Sequence, residues 1–96
     1  RNAQLPQVPT MTEAGYPSVA ISAWYGIYMP ASTPLAVQQK VHDGVNKVLA
    51  MPETQARLLA VGAELQPMSQ ADFAKYHMDE YKRFGEVIRK NNIKLD

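Results

Sequence analysis

Residues 20–29 read Ala-Ile-Ser-Ala-Trp-Tyr-Gly-Ile-Tyr-Met, and hydrophobic side chains run through them without a polar break longer than one residue. Ile21, Ala23, Tyr25 and Ile27 fall on one side of an extended chain, and Ser22, Trp24, Gly26 and Tyr28 on the other. Both rows are largely apolar. That pattern predicts a strand covered on both faces, at about 19–29, as in an α/β sheet. Gly26 inside it marks a bulge, a bend or a close backbone approach. Pro30 ends it, because proline has no N–H to give a ladder.

The rest of the chain reads as helices. Thr10 and Glu13 fit a capping box, cut short at Gly15 and Pro17, so one helical turn is expected there. Ser32 or Thr33 would cap a helix at about 33–50 beginning on Pro34, with Val37, Val41, Val45 and Val48 as its buried stripe. A second helix is expected at about 52–61, with Met51 in the cap position where a side chain cannot accept a hydrogen bond, and Gly62 as its stop. Residues 63–66 alternate and end at Pro67, which predicts an edge strand. Ser69 and Asp72 start the longest helix, about 70–90, whose stripe is Phe73, His77, Tyr81, Phe84 and Ile88. Gly85 in its middle suggests close packing.

Composition removes several function classes. Ten Lys and Arg stand against nine Asp and Glu, so there is no concentrated basic charge of the kind a nucleic-acid binder carries. There is no Cys, hence no disulfide framework and no thiol nucleophile. His42 and His77 lie on separate helices without the spacing of a metal site, and neither forms a catalytic pair with its acidic neighbours. No cofactor loop is present: the glycines are isolated, and no G-x-S-x-G elbow occurs. The basic residues Lys82, Arg83, Arg89 and Lys90 alternate with Glu80 and Glu86, which reads as a solvated helix face.

Ser22 to Pro34 follows the pattern S-x-W-x-G-x-x-x-P-x-x-T-P. Upstream, Val8, Pro9, Thr10, Glu13 and Gly15 give V-P-T-x-x-E-x-G, and downstream Phe73, Glu80, Gly85, Val87 and Ile88 keep a fixed order and separation. In these pieces the chain resembles the substrate-binding proteins of tripartite tricarboxylate transporters, the Bug family. The resemblance implies the C-terminal third of a longer receptor, and the C-terminal part of a periplasmic-binding-protein-like (type II) two-lobed α/β fold. Few strands would be flanked by three main helices, with residues 1–96 a single partial domain.

It further implies a periplasmic, non-enzymatic receptor that captures a small organic carboxylate and presents it to membrane transporter subunits. Ser22, Trp24 and Tyr25 are the residues of this chain that would line the cleft wall. The competing reading of Trp24 and Tyr25 is that they pack a hinge strand against helices, and of Ser22 that it bonds a neighbouring backbone group. A different class of function remains beside this one: a small helical interaction domain using the 70–90 helix. Separated from further polypeptide, the chain would expose apolar surface and self-associate.

Overall fold

The computed structural model describes residues 1–95, and its regular elements are helical. A single 3-10 turn, Pro17–Val19, precedes α1 (Leu35–Leu49), α2 (Pro52–Ala60) and α3 (Gln70–Lys90). Each helix end has a local chemical cause. At the start of α3 the Ser69 hydroxyl accepts the Asp72 N–H at 3.0 Å and donates to the Asp72 carboxylate at 2.8 Å. At its other end Asn92 takes the left-handed conformation (φ 51°), which lets the Ile93 and Asn92 N–H groups reach the carbonyls of Ile88 and Arg89. Gly62 (φ 77°) closes α2 in the same way, with the Ala63 N–H on Leu58 and its own N–H on Leu59.

Two starts are weaker. Met51 gives α2 no side-chain cap, as its chemistry dictates. The residue before α1 is Pro34 itself, and neither Ser32 nor Thr33 caps that helix. Near the N-terminus the Thr10 hydroxyl accepts the Glu13 N–H at 3.1 Å while the Glu13 carboxylate accepts the Thr10 N–H at 3.2 Å. This reciprocal box holds one turn, ended by Gly15 (φ 90°).

The α/β expectation is corrected. Among the described residues there is no strand and no sheet, so neither the central strand at 19–29 nor the edge strand at 63–66 forms. Residues 20–29 carry no regular element, and no backbone N–H from 22 to 29 donates to another backbone group. Alternation of apolar side chains sets which way they point, but a strand exists only when a neighbouring chain supplies hydrogen-bond partners. No described segment lies alongside to do so.

Burial is correspondingly thin. The solvent-accessible surface is 8311 Å², whereas a folded monomer of 10.7 kDa presents about 5,500 Å². The radius of gyration, 16.7 Å, exceeds the roughly 12.5 Å of a compact domain of this length. No described hydrophobic side chain is fully buried. In α1 the valine stripe does not go inside as expected: Val37, Val41 and Val48 are exposed, and the half-buried side is Gln38, His42, Val45, Asn46 and Leu49.

Gly85 does not mark a tight contact either. A methyl group there would meet only the Arg89 guanidinium, 3.2 Å away at the end of a flexible side chain. Gly85→Ala is therefore expected to stabilise α3 by about 0.5–1 kcal/mol, read as increased helical ellipticity and a higher unfolding midpoint.

Candidate functional site

The alternation in residues 20–29 is realised against α3. Trp24 and Tyr28 point to the helix, and the indole sits edge-on to three rings of it: Phe73 at 5.8 Å, Tyr76 at 5.5 Å and His77 at 5.9 Å between centroids. Edge-to-face contacts of this kind place ring edges against electron-rich faces and add to the area they bury. Tyr28 meets Phe73 at a tilt and His77 edge-on, both at 5.5 Å between centroids, and its hydroxyl is 2.7 Å from His77 Nδ1. Gly26 lies between these two aromatics, where the Phe73 ring occupies the space of a side chain: a Cβ there would be 2.4 Å from Phe73 Cζ. His77 is thus part of the seat for the extended segment.

A polar clamp fixes the beginning of that segment. Arg83 donates to the Ala20 carbonyl at 3.0 Å and to the Glu80 carboxylate at 2.8 Å. Glu80, only 9% exposed, is the one buried polar residue among those described. Its hydrogen bond, more than its charge alone, pushes the Arg83 guanidinium above its ordinary pKa, so the clamp stays cationic. Arg83→Ala is expected to free residues near Ala20 and speed chymotryptic cleavage after Trp24 severalfold, with helix content by circular dichroism unchanged. Unaltered cleavage would remove the clamp from the account.

The outward row faces a different environment. Tyr25 is 93% exposed, and Ile21 and Ile27 are exposed as well. With Gly26 and Met29, Tyr25 and Ile27 border a groove of about 360 Å³ whose other sides are α1, residues 66–70 and Phe73. The groove is lined without a single Asp, Glu, Lys or Arg. Its polar groups include His42 and Asn46, 3.1 Å apart and bonded to each other.

Residues 1–93 match the family of tripartite tricarboxylate transporter receptors. The chain belongs to that family. Among its curated relatives, a UPF0065 protein in the tcbD-tcbE intergenic region of Pseudomonas sp. (strain P51) is 30% identical over 89 residues, covering 92% of this chain and 26% of that protein. Another UPF0065 protein, in the gbd 5' region of Cupriavidus necator, is 30% identical over 90 residues, 94% of this chain and 27% of its own length. Protein BugT of Bordetella pertussis is 27% identical over 95 residues, 99% of this chain and 29% of its own. The chain therefore spans between a quarter and a third of the length of these relatives. No solved structure matches it significantly.

Of the three residues read as a cleft wall, this receptor chain does not bring a set together. Trp24 belongs to the α3 seat, Tyr25 stands free on the opposite row, and Ser22 is exposed without a hydrogen-bond partner among the described residues. Sequence reasoning missed Glu80 and Arg83, which it placed on a solvated face. The signal was present: Phe73, His77, Glu80 and Phe84 recur at spacings of four, three and four, the register of one helical stripe. A carboxylate in an apolar register, three residues before an arginine, is a candidate for burial against that partner.

Proposed function

We propose that this chain forms part of a periplasmic receptor that captures a small organic carboxylate and delivers it to the membrane subunits of a tripartite tricarboxylate transporter. The match of residues 1–93 to that receptor family carries the reading. The chain supplies scaffold and one wall of the ligand cleft; Tyr25, whose side chain stands free, is the residue of the wall open to a ligand. The carboxylate-holding groups come from further polypeptide, since the groove beside α1 has no cationic side chain in its lining. The rival reading, a helical module offering α3 to a partner, loses support because the chain's own Trp24 and Tyr28 already occupy the Phe73–His77 face.

Calorimetric titration of the longer receptor with a panel of mono-, di- and tricarboxylates is expected to give saturable binding of at least one. Binding of neutral sugars only, or of nothing in the panel, would overturn the reading. The 96-residue chain alone is expected to release no measurable heat with the same panel. Its unburied apolar surface instead makes it self-associate, and its folding then depends on protein concentration.

A further inference from the structure

We infer that the exposed face of α3 beside the Phe73–His77 seat takes a helix from the receptor's further polypeptide, apolar along its contact line and acidic along one flank. Ala74, Met78, Tyr81, Gly85 and Ile88 recur at spacings of four, three, four and three, the seam along which one helix packs on another. None of them is charged, and Met78, Tyr81 and Ile88 are exposed, Tyr81 at 70%. This seam is distinct from the stripe that seats the extended segment, since Phe73, Tyr76 and Glu80 lie further round the helix. A helix is the occupant whose own period matches it.

Gly85 points the same way. It weakens α3 relative to alanine, yet within this chain a Cβ there meets only the movable end of Arg89. In the seam it is a hole between Tyr81 and Ile88, open to a side chain of a closely packed neighbour. Charge marks one edge. Lys75, Lys82 and Arg89 each follow a seam residue directly and form a basic flank along it. Lys75 pairs with Asp79, but Lys82 and Arg89 form no ion pair with a described residue, so acidic side chains opposite would complete them. The further polypeptide is the favoured source because this chain spans only between a quarter and a third of its relatives' length. Packing within one polypeptide also avoids the translational and rotational cost that a separate molecule on the same seam would carry.

Thermal unfolding of the longer receptor and of the 96-residue chain, each at one fixed concentration, tests this with Gly85→Ala, Tyr81→Ala, Lys82→Gln and Lys82→Glu. Gly85→Ala is expected to reverse sign, raising the midpoint of the chain and lowering that of the receptor. Tyr81→Ala is expected to lower the receptor's midpoint by about 4 °C or more and to leave the chain's unlowered. Lys82→Glu should lower the receptor's midpoint further than Lys82→Gln. Gly85→Ala raising both midpoints, with Tyr81→Ala neutral in the receptor, would leave the seam uncovered and overturn the inference. Unshifted receptor midpoints with lost delivery to the transporter would assign the seam to the membrane subunits and overturn it as well. A receptor dimer that sediments as monomer after Tyr81→Ala would assign it to a second copy, against the inference. Equal midpoints for Lys82→Glu and Lys82→Gln would overturn the acidic flank.

Discussion

Trp24→Ala is expected to destabilise the chain by about 2 kcal/mol and to release residues 20–29 from α3. Truncating a fully buried Trp or Phe costs about 3–5 kcal/mol, and Trp24 is half-buried, so roughly half of that is at stake. The loss concentrates on one place because the indole touches Phe73, Tyr76 and His77 together. Without it, Tyr28 retains its ring contacts and one hydrogen bond to His77 and Arg83 its bond to the Ala20 carbonyl, too little to order ten residues against their conformational entropy. Denaturation followed by far-ultraviolet ellipticity, at one fixed protein concentration, gives the energy. A shift in midpoint no larger than that of an exposed-residue control would contradict the central role of the indole.

Gly26→Val is the second large effect, and it works by crowding. The Cβ alone would overlap the Phe73 ring, with Cζ at 2.4 Å, and Tyr28 Cε2 at 3.1 Å closes the other side. Phe73 cannot step back freely, because its ring is held by Trp24 and Tyr28. The extended segment must lift from the helix, at a cost of about 1–3 kcal/mol. The variant is expected to red-shift Trp24 emission as water reaches the indole, and Gly26→Ala should do the same to a smaller extent. Equal emission in wild type and Gly26→Val would mean that the segment does not lie as close to α3 as described.

The two variants concern the same stretch that dominates the sequence, and they show how far it was legible. Its period-two pattern correctly assigned Trp24, Gly26 and Tyr28 to one side and Tyr25 to the other, because alternation is a property of any extended chain. The strand itself was not legible from that pattern. Hydrogen-bond partners belong to other segments, and none of the described ones reaches residues 22–29. The family, by contrast, is shown by a match over residues 1–93, and it holds whether or not the stretch pairs in a ladder.

Helix signals were legible where one side chain decides them, as with Ser69 at the start of α3 and Gly62 at the end of α2. They were less so where the decision is tertiary. The valines of α1 have the spacing of a buried stripe, yet burial depends on what stands opposite, and Val37, Val41 and Val48 stay exposed. Arg83 and Glu80 failed in the other direction: two charges looked solvated because the second acceptor of Arg83, the Ala20 carbonyl, lies 63 residues away in sequence. A backbone acceptor leaves no residue-type signature for a reader of sequence to find.

Proton–proton contacts in solution decide the matter most directly. If residues 20–29 form an extended ribbon fastened to α3, the Trp24 indole protons will show cross-relaxation to the rings of Phe73, Tyr76 and His77, and residues 21–28 will have the large backbone couplings of extended chain. Helical couplings across 21–28, or an indole with no contact to any of the three α3 rings, would contradict the arrangement.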